Sequence, residues 1–161
     1  MAEEKENATI VVFSGELDKA LAAFNIATTA AAMDIEVTMF FTFWGLNVVT
    51  KEKTDAGNKN PLQKMMGMVN KGGARRLKLS NMNMLGGGKV AMKKLMADFH
   101  MPSLEEMMPL AKELGVRFLA CTTSMALMGL EEADFIPEVE DFVGAATYVE
   151  IASRSQINLF I

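Results

Sequence analysis

Ala8–Phe13 reads A-T-I-V-V-F and Ile35–Phe41 reads I-E-V-T-M-F-F, and an alanine-rich segment separates these two stretches. Both are short, mainly apolar and rich in β-branched or aromatic side chains, which is typical of strands buried on both faces. The segment between them, Lys19 to Met33, carries apolar residues at helical spacing. Strand, helix and strand within about thirty-five residues predict a βαβ unit with a right-handed crossover in a parallel sheet.

The C-terminal half repeats this alternation of elements. Val116–Ala120 is a third strand candidate, and Ile157–Ile161 is the last. We expect one helix from Ser103 to Leu114, capped by Ser103, and another from Pro137 to about Ser155. The sequence therefore predicts one α/β domain over residues 1–161, a three-layer sandwich with about five mostly parallel strands.

Charge is distributed unevenly along the chain. Residues 51–95 hold eleven basic and two acidic side chains, a net of +9, whereas the remainder holds five basic and eighteen acidic ones, a net of −13. Part of this basic segment is rich in methionine and glycine, and we expect a mobile excursion at about residues 60–100. Its charge suits an acidic partner, nucleic acid, a membrane surface or another subunit, or is simply a solvated surface. The spacing of a phosphate-binding loop is absent from its glycines.

Composition narrows the classes of protein that remain. A single cysteine excludes an internal disulfide and any multi-cysteine zinc site, so no metal is expected. The charged N-terminus lacks a signal-peptide pattern, which makes the cytoplasm the default location. Apolar runs fall far short of the ~20 residues of a membrane-spanning helix, while peripheral membrane contact stays open.

Cys121 lies where the third strand ends and a new helix begins. Thr122, Thr123 and Ser124 follow it, and all three are residue types that cap helices. Unpaired N–H groups and the helix dipole at such a position favour a thiolate over a thiol, so these three residues are the predicted thiolate-stabilising groups. The alternative is a buried, inert cysteine, since free cysteine is among the most buried residue types.

The ends of the first two strands supply further candidates. Ser14 follows the first strand, and it is also placed to cap the next helix. Phe43, Trp44 and Gly45 follow the second strand, on the edge where ligand sites form in α/β sheets. These four residues are predicted to wall a pocket, although the aromatic pair could equally cap the core. His100, the only histidine, is not placed near Cys121 by anything in the sequence, and a loop position is expected for it.

Four stretches, taken in order, resemble the DsrE/DsrF-like family, which includes the TusD-type sulfur-relay proteins. They are I-V-V-F-S-G-E-L-D-K-A-L-A-A-F-N-I-A from Ile10, V-T-M-F-F-T-F-W-G-L-N from Val37, A-C-T-T-S-M-A-L-M-G-L from Ala120, and A-S-R-S-Q-I-N-L-F-I from Ala152. The third contains a cysteine that opens a helix and a glycine eight residues later, as in that family. The resemblance is closest to a longer branch with a Met/Gly-rich basic insertion.

The resemblance implies a flavodoxin-related topology and a sulfur carrier. Cys121 would hold sulfane sulfur as a persulfide and exchange it with donor and acceptor proteins, in a homo-oligomer that is a trimer or hexamer. Such chemistry needs no organic cofactor and no nucleic acid, and whether the chain is an enzyme, a sulfurtransferase, stays open. The alternative is a non-catalytic oligomeric binding or assembly protein in sulfur or redox metabolism. A small-ligand or nucleotide-binding module that uses Trp44 and the glycine loop at Gly86–Gly88 ranks third.

Overall fold

A parallel five-stranded sheet forms the centre of the structure, a computed structural model that describes residues 6–52 and 60–161. Its strands are β1 (Asn7–Val12), β2 (Glu36–Phe41), β3 (Arg117–Cys121), β4 (Asp141–Val143) and β5 (Ile157–Phe160). Their order is β4-β3-β2-β1-β5, and every neighbouring pair is parallel. The predicted α/β class with about five parallel strands is confirmed.

Helices cover both faces of this sheet. They are α1 (Leu17–Ala32), α2 (Leu46–Val49), α3 (Pro61–Val69), α4 (Gly87–Asp98), α5 (Leu104–Glu113), α6 (Thr122–Met128) and α7 (Ala145–Ser153). The chain lays down β1 to β4 in one direction, so right-handed crossovers put α1, α2, α5 and α6 on one face. It then reverses to place β5 beside β1, which brings α7 to the opposite face. The predicted three layers are therefore present.

Alternate strand residues divide between two apolar clusters. Phe24 of α1 packs against Phe41 and Phe118 of the sheet, with ring centroids 6.2 and 5.5 Å away, in the larger cluster. The smaller cluster, on the α7 face, consists of the buried residues Val11, Phe40, Leu119 and Cys121 with partly buried side chains from α7 and β4. Cys121 thus points to the face that a single helix covers.

The start of α1 differs from the prediction. Glu16, not Ser14, is the N-cap residue, and no side chain caps the helix there. The backbone of the basic segment supplies a cap instead, because the carbonyl of Lys78 accepts a hydrogen bond from the N–H of Leu17 at 2.8 Å. Asp18 also accepts hydrogen bonds from the N–H, at 2.9 Å, and the hydroxyl of Ser80. The start of α1 is therefore attached to residues more than fifty positions away.

The basic segment contains regular structure in its described residues. Helix α3 and most of α4 lie within it, and a one-turn helix at Ala74–Arg76 precedes Lys78. Lys78 also pairs with Glu16 in a single parallel β-bridge. Leu77 and Leu79, on either side of that bridge, are buried in the main cluster, so this part of the segment packs as core.

The helix expected from Pro137 begins only at Ala145, so that prediction is wrong. Residues Asp141–Val143 form β4 instead and pair with the end of β3. The spacing of Val139 and Phe142 is compatible with a helical face, but Val139 is buried in the larger apolar cluster and Phe142, in β4, packs against that cluster. Pairing with β3 decided the outcome, since local propensity is readily overridden by tertiary contacts. By contrast, α5 begins after Ser103 as predicted, with a capping box between Ser103 and Glu106.

The described helices include none whose length and hydropathy together would let it cross a lipid bilayer.

Gly45 occupies a position where the backbone of β1 comes close. A Cβ atom there would lie 1.9 Å from the carbonyl oxygen of Val12, which cannot move without disturbing the sheet. We predict that Gly45→Ala lowers the free energy of unfolding by more than about 2 kcal/mol. Urea denaturation followed by circular dichroism measures the change.

Gly67→Ala is the matched control for this substitution. Gly67 lies inside α3 with open space around its Cα, so an added methyl group should be neutral or stabilise by up to about 1 kcal/mol. Equal unfolding free energies for the two variants would contradict the role assigned to Gly45.

Candidate functional site

Cys121 is both the last residue of β3 and the N-cap residue of α6. Its backbone is extended, with φ −75° and ψ 112°, and the helix begins at the next residue. β3 lies between β2 and β4, so Cys121 stands at the carboxyl edge of the sheet with strands on both sides. The predicted position, at a strand-to-helix junction, is confirmed.

Hydrogen-bond donors converge on the sulfur of Cys121. Burial taken alone raises the pKa of this thiol. The Ser124 N–H, the Thr42 and Ser124 hydroxyls and the Thr123 N–H more than offset burial, so the net pKa lies below its usual value. The two hydroxyl oxygens are 2.9 Å apart, so one hydroxyl can donate to the other, and the hydrogen of the second hydroxyl is then available to the sulfur. This arrangement stabilises a thiolate or another sulfur anion.

Thr42 is a contributor that the sequence analysis did not name. β2 and β3 pair with Phe41 opposite Ala120, so the next residue of each chain, Thr42 and Cys121, come together at the sheet edge. The sequence does contain a signal for this role, since a threonine directly follows the second predicted strand. It could be used only with the knowledge that β2 and β3 are neighbours, which no local pattern supplies.

The predicted stabilising residues occupy different environments. Ser124 is buried in the first turn of α6, and its backbone N–H and hydroxyl both contribute to the Cys121 site. Thr123 contributes through its backbone N–H. Thr122 is exposed, and a Cβ atom placed on Gly144 would lie 4.0 Å from its hydroxyl oxygen. Thr122 therefore borders the turn between β4 and α7.

The other side of the thiol is apolar. Cys121 is 5% exposed and packs with Val11, Phe40 and Leu119. Tyr148 of α7 stacks on the Phe40 ring, with the ring centroids 4.7 Å apart. The sulfur thus lies between a polar cradle at the sheet edge and an apolar layer under α7, with a small area open to solvent.

The four predicted pocket residues do not share one environment. Ser14 and Trp44 line a cavity of about 860 Å³ at the carboxyl ends of β1 and β2. Phe43 instead lies on the surface against Phe13, with the ring centroids 5.4 Å apart. Gly45 is buried, and its N–H donates to the carbonyl of Phe13 at 2.8 Å.

His100 lies in the turn between α4 and α5. Its backbone is left-handed, with φ 54°, and its side chain is exposed. It is not among the groups that bond to Cys121. In the described ranges, 6–52 and 60–161, no three His, Cys, Asp or Glu side chains are grouped as metal ligands would be.

Fold and site together define an α/β protein with one hydrogen-bonded cysteine at the carboxyl edge of a parallel sheet. Comparison with known protein families identifies the family within this class. The profile of the DsrE/DsrF/DrsH-like family matches residues 4–160. The chain belongs to this family.

Two relatives match along almost their whole lengths. The uncharacterized protein YrkE of Bacillus subtilis is 42% identical over 161 residues, which is 100% of both chains. The sulfur carrier protein DsrE2 of Allochromatium vinosum is 36% identical over 162 residues, covering 98% of this chain and 99% of the relative. Among solved structures, the protein of unknown function MTH1491 from Methanobacterium thermoautotrophicum shares the fold, with a TM-score of 0.53 at 13% identity. That match covers 98% of this chain and 100% of the other.

Removing the Thr42 hydroxyl tests the polar cradle. Thr42→Val keeps the shape of the side chain but deletes a donor to the sulfur, so we predict that the pKa of Cys121 rises. Less thiolate is then present at neutral pH, and alkylation by iodoacetamide at pH 7 should slow by about tenfold. The pH dependence of the alkylation rate measures the shift.

Thr122→Val provides the comparison at the same site. Because its hydroxyl is absent from the donors to Cys121, we expect a much smaller shift than for Thr42→Val. An unchanged pH profile in Thr42→Val would contradict the hydrogen-bond assignment.

Proposed function

We propose that this protein is a sulfur carrier, which holds sulfane sulfur as a persulfide on Cys121 and passes it to a cysteine of a partner protein. Family membership and a relative named as a sulfur carrier support a role in sulfur relay. The observation that carries the finer proposal is the set of donors from Thr42, Thr123 and Ser124 around the only cysteine of the chain.

The relay consists of two exchange steps without net oxidation. The Cys121 thiolate attacks the outer sulfur of a donor persulfide, an S–S bond to Cys121 forms, and the donor S–S bond breaks. The donor leaves as a thiolate with the bonding electron pair. In the second step an acceptor thiolate attacks the outer sulfur now on Cys121, and Cys121 leaves as a thiolate. Its lowered pKa favours both the attack and the departure.

The surroundings of Cys121 suit a loaded carrier. The outer sulfur of a persulfide lies about 2 Å beyond the cysteine sulfur, so loading extends the reactive atom away from its buried attachment. The hydroxyls of Thr42 and Ser124 can donate to either sulfur anion, because hydroxyl hydrogens rotate. The apolar layer on the α7 face limits contact with water and free thiols, which would otherwise remove the sulfur.

The persulfide is directly measurable. We predict that incubation with sodium polysulfide increases the intact mass by about 32 Da, one sulfur atom, and that dithiothreitol reverses the change. Because the chain has one cysteine, Cys121→Ala is a complete control and should gain no sulfur. Absence of the adduct, while a known relay protein is loaded in parallel, would refute the carrier function.

A non-catalytic binding or assembly protein is the second candidate. It predicts that partner capture survives Cys121→Ala, whereas the carrier proposal requires Cys121 for sulfur transfer to that partner. The proposal places the chain in the cytoplasm, as its sequence suggests, with donor and acceptor proteins as its partners.

We further propose that the chain assembles as a homo-oligomer, a trimer or hexamer. Support comes from apolar side chains left exposed on the α7 face: Val149 is 60% exposed and Phe160 of the edge strand β5 is 70% exposed. Exposed apolar surface of this kind marks association sites.

Light scattering after size exclusion tests the assembly. We predict the mass of a trimer or hexamer for the wild type and a lower mass for Phe160→Asp, since a buried charge without a partner is unfavourable. Met33→Asp, an equally exposed site at the end of α1, is the control and should leave the mass unchanged. A monomeric wild type would contradict the proposal.

A further inference from the structure

The cavity beside Trp44 is lined by an excess of positive charge. It lies at the carboxyl ends of β1 and β2 and has a volume of about 860 Å³. Five basic residues line it: Lys71, Arg75, Arg76, Lys78 and Lys89. One carboxylate, Glu16, is also present, and it lies 2.5 Å from the ammonium group of Lys19 outside the cavity. The positive side chains that line the cavity therefore greatly outnumber the negative ones.

Three of these cations form no ion pair with a carboxylate of residues 6–52 and 60–161. Arg75 lies 3.8 Å from Glu52 and from Glu105, so its charge is shared with carboxylates. For Lys71, Arg76 and Lys78, by contrast, no carboxylate of the described ranges comes within ion-pair distance. Cations without a paired carboxylate are available to bind an anion through charge-assisted hydrogen bonds.

The wall is fixed by the fold and does not depend on a ligand. Lys78 is attached to the start of α1 through its backbone, and the buried side chains of Leu77 and Leu79 anchor the residues around it. On the opposite side, a Cβ atom on Gly15 would lie 2.5 Å from the carbonyl oxygen of Trp44, so the turns after β1 and β2 are in direct contact. A preformed wall reduces the entropy lost on binding.

Lys89 lies deepest among the lysines of this wall. It is partly buried, and its ammonium group donates to the carbonyl of Arg75. Burial lowers the pKa of Lys89, nearby Lys93 lowers it further, and Glu105 partly opposes both. An anion in the cavity would stabilise the charged form of this side chain.

Apolar surface completes the cavity. Trp44 is 41% exposed and lines the wall together with Leu77, Leu79 and Met68. Indole rings stack on planar groups and on cations, so one part of the cavity suits an organic group while the other suits negative charge. The volume falls in the range of small-molecule sites, about 300–1,000 Å³. A single compact ligand fits this description better than a polymer.

We propose that this cavity binds a small molecule carrying a phosphate or another multiply charged oxyanion group, at a site separate from Cys121. The anionic group lies among Arg76, Lys78 and Lys89, and the organic part lies against Trp44. The proposal does not depend on sulfur transfer, because none of the groups that bond to Cys121 lines the cavity.

Trp44 reports binding directly, because it is the only tryptophan in the chain. Purified protein is titrated at constant ionic strength with inorganic phosphate, with thiosulfate and with adenosine diphosphate, and chloride serves as the blank. We expect a saturable change in Trp44 fluorescence and a matching saturable heat in calorimetry. Adenosine diphosphate that binds at least tenfold tighter than both free anions identifies an organic phosphate as the ligand class, whereas equal affinities identify the free oxyanion.

Charge-neutralising variants locate the binding. Arg76→Gln and Lys78→Gln, made separately, should each weaken binding by about tenfold or more, because each removes a charged donor from an exposed side chain. Lys94→Gln removes a charge from the same basic segment outside the cavity and should change affinity less than twofold. Cys121→Ser should bind the probes normally, which separates this proposal from the sulfur-carrier function.

Two results would overturn the proposal. One is the absence of saturable fluorescence and heat with all three probes. The other is an equal loss of affinity in Lys94→Gln and Lys78→Gln, because that would show unspecific attraction to the basic segment. Circular dichroism and the melting temperature confirm that each variant is folded.

Discussion

The parallel pairing of β2 with β3 is the interaction on which the site depends. This pairing sets Phe41 opposite Ala120, so the next residues along the two strands, Thr42 and Cys121, lie side by side at the edge of the sheet. A register shifted by one residue would turn Cys121 to the α1 face, since successive strand residues point to opposite sides. The hydroxyl of Thr42 would then lose its place beside the sulfur. The alternation of side chains between the two buried faces therefore sets the register of the two strands. The register in turn determines which groups surround the Cys121 sulfur.

The basic segment is joined to this framework through backbone contacts. Lys78 supplies the carbonyl that begins α1, and Asp18 of α1 in turn accepts the N–H and hydroxyl of Ser80. Burial raises the pKa of Asp18, but the hydrogen bonds from Ser80 outweigh it and the net pKa is lowered. These contacts hold positive charge beside the turns after β1 and β2. The proposed anion-binding cavity and the proposed sulfur-carrying cysteine thus lie at the same edge of the sheet and are held by different contacts.

Local patterns in the sequence were sufficient to predict the architecture, but they did not predict which distant residues contact each other. The first two strands, the helix between them and the junction at Cys121 have strong signals, because burial and capping act over a few neighbouring residues. Thr42 was missed because its role arises from pairing across the chain. The short strand β4 was missed for the same reason, as three residues give too little pattern to outweigh the helix expected around them. The cap of α1 was misassigned because a distant carbonyl replaced the expected side chain.

The pairing of β1 with β5 sets the order in which the chain can fold. Ala8 is opposite Ile157, so one side of β1 stays unpaired until residues about 150 positions later have been synthesised. Contacts this distant in sequence are slow to form, because the entropy of closing a long loop is lost before they stabilise the structure. Until β5 is made, any pairing of β1 with β2 therefore leaves the other edge of β1 open. An open strand edge can pair with another chain, so the late arrival of β5 makes the unfinished fold prone to association.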